Sequence, residues 1–282
     1  MKPLLVVDGD SFAHRAYHAM PKTVRLGCVV GFTNMLTGLY GQEHPDAVLV
    51  AWDTLEVPTY RHEAFGAYQS GRVFDQALLD QLALLPQLCE ACGFAVGKAA
   101  GYEADDFLAA AAAAWPGPVL VATSDRDAFQ LVSDRVTILQ PVRGVSEIAR
   151  IGVAEVRERY GVDPEQVPDL IALRGDPSDK LPGARGVGPK KAAELLGQYR
   201  TLEDALAAGR FAAEAEDLRL YRRIAQMDAS APLPLLKDQT PTWAEASSFL
   251  RELGLDASAR RVVSLACTSG ARRAPRRSAS TD

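Results

Sequence analysis

Three apolar runs in this 282-residue chain are each followed by aspartate. Asp8 closes LLVV, Asp53 follows AVLVAW, and Asp125 and Asp127 follow VLVATS. In a parallel sheet the strands finish at one edge, and ligands sit just outside it. Three separate segments would therefore deliver carboxylates to one place. Glu103, Asp105 and Asp106 open an alanine-rich helix in GYEADD, with Glu103 and Asp106 on one face of it. Asp176 and Asp179 stand in RGDPSDKLPG. Singly, each acid has an ordinary explanation. Acids in a first helical turn offset the helix dipole, and Gly-Asp-Pro-Ser-Asp is common turn chemistry. Together they are like charges that repel unless cations neutralise them. Hard oxygen donors without a neighbouring His/Cys set favour Mg²⁺ or Mn²⁺ over zinc. Two such ions about 4 Å apart form a clamp for in-line attack on a phosphodiester.

A second constellation is GARGVGPKKAAELL. Gly186, Val187 and Gly188 supply a tight turn, with Gly188 expected at positive φ. Pro189 suits a first helical position, and Lys190 and Lys191 follow it. Backbone N–H groups at such a helix start bind phosphate oxygens. The segment is no Walker loop, which needs four residues between its glycines before Gly-Lys-Ser/Thr.

The elements that must position these groups alternate. Leu4–Val7, Ala47–Trp52, Pro118–Ala122 and Val136–Leu139 read as strands. Val29–Tyr40, Phe74–Cys92 and Glu103–Trp115 read as helices, the second kinked at Pro86. This alternation predicts an α/β fold with a mostly parallel central sheet and helices on both faces. From about Gly152 short helices follow one another, so the boundaries predicted are 1–150, 151–240 and 241–282.

A hydrophobic share of 48% against 24% charged residues excludes a largely disordered or fibrous chain. No apolar run approaches the roughly 18 residues of a membrane span. MKPLLVVDGDSF lacks a signal-peptide core, and four cysteines make no disulfide framework. A cytosolic protein without membrane contact is expected. Cys89 and Cys92 read as buried thiols, and Trp52 and Phe129 as core residues. Arg272–Arg277 lie in a stretch with almost nothing apolar, expected to be a flexible basic tail.

In this order the residues resemble the bacterial 5′-nuclease family: the flap endonucleases and the N-terminal 5′-3′ exonuclease domain of DNA polymerase I. VVDGDSFAHRAYHA resembles the family's opening strand and helix, and YRHEAFGAY the start of its mobile arch. GYEADD, TSDRDAFQLVSD and GDPSDKLPGARGVGPKKAAELL follow in the family's order, so the resemblance runs from about Leu4 to Leu236. It implies a PIN-like nuclease core with a helical arch over about 55–75. It also implies a helix-three-turn-helix over about 168–197, within a DNA-binding helical subdomain.

The resemblance assigns Asp8, Asp53, Glu103, Asp105 and Asp106 to a first metal ion and Asp125, Asp127, Asp176 and Asp179 to a second. It assigns Gly183, Gly186, Val187, Gly188, Lys190, Lys191 and Tyr68 to DNA contact, with a K⁺ ion at the hairpin. Arg61, Arg72, Gln69, His14 and Arg15 fall near the scissile phosphate. The implied activity is that of a Mg²⁺- (or Mn²⁺-) dependent 5′-3′ exonuclease and 5′-flap endonuclease leaving 5′-phosphates. Its partners would be DNA with 5′ ends, flaps or nicks, or RNA–DNA hybrid strands, handled by a monomer in primer and flap removal. At 282 residues a stand-alone nuclease without the polymerase is expected. Setting the nine acids aside turns the formal net charge from −5 to about +4, compatible with a basic track around an acidic pit.

Four features depart from the family pattern. Gln69 stands where a lysine is usual, His14 where a stacking tyrosine is usual, and Asp10 where a neutral residue is usual. The loop between Met20 and Gly31 is several residues short. Gln69 and His14 motivate an alternative, a DNA-structure-binding protein with feeble catalysis. A remoter one is a haloacid-dehalogenase-type phosphatase, suggested by VVDGDS; it lacks that family's lysine and strand before the later acidic motif.

Overall fold

The computed structural model describes residues 2–143, 146–236 and 241–270, with side chains described to residue 265. The stretch expected to be a basic tail lies outside the described residues. Six strands form one sheet: β1 (Leu4–Asp8), β2 (Ala47–Ala51), β3 (Ala95–Gly97), β4 (Val119–Ala122), β5 (Val136–Arg143) and β6 (Glu147–Ile151). Their order is β3-β2-β1-β4-β5-β6, parallel except for β6, which returns antiparallel along β5. Registers Asp8↔Ala51 and Val7↔Ala122 bring the ends of β1, β2 and β4 to one edge.

The sheet is buried on both faces, so its inner strands are apolar without a break. Leu4, Val6, Leu49, Val119 and Val121 point into one core, and Leu5, Val7, Val48, Val50 and Leu120 into the other. The second core is filled from α1 (Gly9–Ala19), α2 (Gly27–Glu43), α4 (Gln76–Leu82) and α5 (Leu85–Ala91), while the short α3 (Tyr60–Ala64) opens the arch. The first core takes α6 (Ala104–Ala114) through Phe107 and Leu108. It continues into α7 (Val153–Tyr160), α8 (Val167–Arg174), α9 (Pro189–Tyr199), α10 (Leu202–Ala207) and α11 (Ala215–Ala225). Finally α12 (Trp243–Glu252) and α13 (Asp256–Gly270) come back to the second core, with Trp243, Leu250 and Val262 buried there.

Three sequence expectations are corrected. The kinked helix over Phe74–Cys92 is two helices, α4 and α5, with Pro86 in the first turn of α5, where its missing N–H has no partner to lose. The arch is mostly turns: only Tyr60–Ala64 is helical between 55 and 75. Strands β3 and β6 were not anticipated, one being three residues long and the other, EIARI, a partly exposed edge strand. Among the described residues no helix is long and apolar enough to cross a membrane.

Candidate active site

A cavity of about 500 Å³ opens at the C-terminal edge of the parallel strands. Eight of the nine expected acids line it: Asp8, Asp53, Glu103, Asp105, Asp125, Asp127, Asp176 and Asp179. Asp10 joins them. Each is delivered by a local rule. Asp8 ends β1 and caps α1, its carboxylate accepting from Ser11 N at 2.9 Å and from Thr123 Oγ1 at 2.7 Å. Asp53 follows β2 and accepts from Ala104 N at 2.8 Å, which ties it to the start of α6. Asp125 follows β4, held by its own N–H to Thr123 Oγ1 and accepting from Asp127 N.

Asp176 and Asp179 sit in the loop after α8, pinned by paired backbone bonds between Asp176 and Leu181. That loop closes because Gly175 and Gly183, both at positive φ, touch backbone to backbone; a Cβ on either would overlap main-chain atoms.

Burial and crowding disfavour ionisation here. Burial pushes Asp8 up to about 7 despite two hydrogen bonds that oppose it, with Asp53 and Asp125 adding repulsion. Burial, and then the neighbouring carboxylates, hold Asp10, Asp105 and Asp127 well above the usual range. Asp179 stands at about 6 for the same reasons. Such a set is stable as anions only beside cations. All the acidic donors are hard oxygens, and the one imidazole on the wall, His14, rests against Phe74 at 5.5 Å between centroids. The donor chemistry fits divalent ions that prefer oxygen. The acids form a wall rather than a closed cage: among the described residues no three His, Cys, Asp or Glu side chains are already drawn together to hold an ion.

The structure does not bring every expected residue to this cavity. Asp106 is fully buried and turned away, accepting from Arg61 Nη1 at 2.9 Å and Nη2 at 2.7 Å. It also accepts from the N–H groups of Glu103 and Asp228. Its assignment as a metal ligand is corrected to that of a buried anchor, because all its acceptor capacity is used. Arg61, 3% exposed, is corrected with it: it donates to Ile224 O at 2.9 Å and cannot meet a phosphate in this position. Arg15 donates to the Val142 carbonyl at 2.7 Å and does not line the cavity. Tyr68 does line the cavity but is only 4% exposed, its hydroxyl donating to Glu103 Oε2, so it braces a carboxylate. Val187 packs in the core at 6% exposure.

Gly188 has φ −94° and open space around it; the positive φ falls on Gly186. Lys190 and Lys191 are exposed at the start of α9, with Lys191 Nζ donating to Gly186 O at 3.4 Å. Arg72, His14 and Gln69 do line the cavity.

Sequence reasoning left out Thr123 and Ser11, which hold Asp8 and, through Ser11 Oγ, the N–H of Ser124. It also left out Thr59, which donates to Glu103 Oε1 at 2.8 Å. Small hydroxyls beside the acids of DGDS and ATSD were the available signal. Asp10, the acid that departs from the family pattern, is held on the wall by its carboxylate accepting from Asp53 N at 2.7 Å.

An α/β sheet with an acid-lined cavity at its C-terminal edge and a helical subdomain behind it defines a PIN-like nuclease fold. Residues 3–161 match the N-terminal resolvase-like domain of the 5′-3′ exonucleases, and residues 162–247 match their C-terminal SAM-fold domain. The chain belongs to the 5′-3′ exonuclease family. It is 43% identical over 214 residues to DNA polymerase I of Mycobacterium leprae, covering 72% of this chain and 23% of that protein. It is 36% identical over 271 residues to the thermostable DNA polymerase I of Thermus thermophilus, covering 89% and 32%. The chain thus spans about a quarter to a third of the length of these curated relatives.

Among solved structures it is similar in fold to the 5′-exonuclease of bacteriophage T5 with bound zinc, with a TM-score of 0.69 at 18% identity. That match covers 93% of this chain and 99% of the other. The catalytic core of Rad2 in complex with DNA substrate matches at a TM-score of 0.59 and 14% identity, covering 93% and 91%.

Proposed function

We propose that this protein is a structure-selective 5′-3′ exonuclease and 5′-flap endonuclease that hydrolyses DNA phosphodiesters and leaves 5′-phosphates. The observation that carries the proposal is the convergence of Asp8, Asp53, Glu103, Asp105, Asp125, Asp127, Asp176 and Asp179 on one cavity from separated segments. Mg²⁺ is the cation proposed, with Mn²⁺ as its substitute, since Mg²⁺ takes one or two carboxylates and keeps several waters. Bound in pairs, such ions supply Lewis acidity toward a phosphate and a water of lowered pKa.

The chain does the rest. Asp8, Asp53, Glu103 and Asp105 would hold one ion, and Asp125, Asp127, Asp176 and Asp179 the other, one or two directly and the rest through the ion's waters. Thr123 and the Ser11 N–H fix the Asp8 carboxylate, so little reorganisation is left for the moment of reaction. Arg72, 41% exposed at the cavity rim, is the guanidinium proposed to donate to a phosphate oxygen there. Lys190, Lys191 and the turn at Gly186 form the proposed grip on duplex backbone, with K⁺ at that hairpin.

The domain reading follows: a nuclease core over 1–150, a DNA-gripping helical part over 151–240 and a C-terminal segment from 241. Relatives named DNA polymerase I favour a role in primer and flap removal; action in the cytosol, as a monomer on DNA or RNA–DNA hybrid strands, belongs to the same proposal.

Incubation of labelled 5′-flap, nicked and single-stranded substrates with Mg²⁺ and with EDTA tests this. Cleavage of the flap and nicked substrates in Mg²⁺ alone is expected. Tight flap binding without cleavage in either condition would replace the proposal with the reading of a non-catalytic DNA-structure binder.

A further inference from the structure

Gln69 occupies an unusual place between the two groups of acids. Its Nε2 donates to Tyr68 Oη at 2.7 Å and to Asp179 Oδ1 at 3.1 Å. Its Oε1 accepts from Arg72 Nη1 at 2.6 Å, and Arg72 Nη2 reaches Asp179 Oδ1 at 3.3 Å. Tyr68 in turn donates to Glu103 Oε2 at 2.9 Å. A continuous line of hydrogen bonds therefore runs from Asp179, on the loop after α8, to Glu103, at the start of α6.

The joint in that line is one neutral amide. Gln69 holds its post with φ +48°, in the left-handed region that non-glycine residues adopt only when their surroundings compel it. The side-chain chemistry is specific. An amide carries both donors and an acceptor, so it can give hydrogens to Tyr68 and Asp179 while taking one from Arg72. An ammonium has donors only and would repel the Arg72 guanidinium. A glutamate would keep the arginine and lose both donors.

We infer that Gln69 is a positioning residue that couples the two metal-holding groups of acids, setting the Glu103 carboxylate in response to what Asp179 is bound to. This rests on the metal reading of the cavity proposed above. When Asp179 turns to an ion, its hydrogen bonds to Gln69 and Arg72 are released. The amide is then free to reorient against Tyr68, and Arg72 is free to turn toward the cavity.

The test is a double-mutant cycle on Mn²⁺ affinity, read by electron paramagnetic resonance of the free ion with the intact chain. Asp179→Asn is expected to weaken the tighter Mn²⁺ at least threefold more with Gln69 present than in Gln69→Leu. Gln69→Glu, which retains length and the Arg72 partner, is expected to abolish that difference as Gln69→Leu does. The charge lost at Asp179 is common to the Gln69 and Gln69→Leu backgrounds and cancels between them. Equal effects of Asp179→Asn with Gln69 and with either variant overturn the coupling while leaving the metal site intact. An unaltered chain that takes up no Mn²⁺ overturns the metal reading and the coupling together.

Discussion

Arg61 and Asp106 meet as a two-pronged ion pair inside the protein, at 2.9 and 2.7 Å, with neither side chain more than 3% exposed. The pair joins three elements: α3 at the foot of the arch, α6 of the nuclease core, and the end of α11, whose Ile224 carbonyl accepts from Arg61 Nε. Arg61 Nη1 also lies 3.4 Å from Glu103 Oε2. Removing one partner of such a pair strands the other charge in a dry site. Arg61→Met is expected to cost about 3–5 kcal/mol of folding stability in urea titrations with EDTA present. A loss below about 1 kcal/mol would mean that the pair is not a structural anchor.

Asp125, after β4, and Asp176, in the loop after α8, both line the cavity. Asp125→Asn or Asp176→Asn each removes a charge and a ligand. Each is expected to lower turnover by roughly two orders of magnitude or more while duplex binding is retained. Near-normal cleavage by either variant at saturating Mg²⁺ removes that residue from the site.

The cavity's acids make the metal-free protein sensitive to pH. In the folded state Asp8 titrates at about 7 and Asp179 at about 6, both above an ordinary value of 3.8. A raised folded pKa means the native state binds more protons than the unfolded one. Stability is then greatest below pH 4 as far as these groups are concerned, and is lost as pH rises through 6 and 7. Melting temperatures with EDTA are expected to fall between pH 5 and pH 8 and to recover on adding Mg²⁺ at pH 8. A melting temperature that rises across this range without metal contradicts the assignment.

The glycines of the hairpin separate by their backbone. Gly183→Ala is expected to destabilise strongly, because its Cβ would overlap the backbone of Arg174 and Gly175. Gly188→Ala, at φ −94° with nothing nearby, is expected to leave the melting temperature within a few degrees of the original. Comparable losses for the two would contradict the loop geometry.

Lys190 is exposed at the helix start proposed to meet phosphate. Lys190→Ala is expected to weaken binding alike on all sequences and to reduce the slope of log K against log salt by about one. An unchanged slope means this lysine touches no phosphate.

Much of the site was legible because its acids follow strands. The period of an apolar run and the acid that stops it are local properties, so Asp8, Asp53, Asp125 and Asp127 could be gathered without knowing the fold. Asp106 and Arg61 were misplaced for the opposite reason. Helical spacing puts Glu103 and Asp106 on one face, but it does not say which of them a buried arginine claims from 45 residues away. The capping geometry at the start of α6 turns Asp106 back onto the Glu103 N–H and leaves Asp105 to the cavity. The helical arch is what the family resemblance implies, yet Gly66 and Gly71 favour the turns observed. Tyr68 gave no local sign of the carboxylate it supports, because Glu103 reaches it only through the tertiary fold.

The last two helices have a mechanical consequence. Thr242 bonds to Cys92 O and Ala91 O, and Trp243 packs its edge against Tyr40 and Phe94, so the chain is fastened again to the sheet's second core before α13 runs along α2. Between its two chain crossings, after Ile151 and before Thr242, the helical subdomain shares one continuous core with the sheet, and Arg61 and Asp106 tie the end of α11 to the arch and to α6. Cutting the backbone within the span would leave both stubs moored to the same sheet, each by its own packed surface.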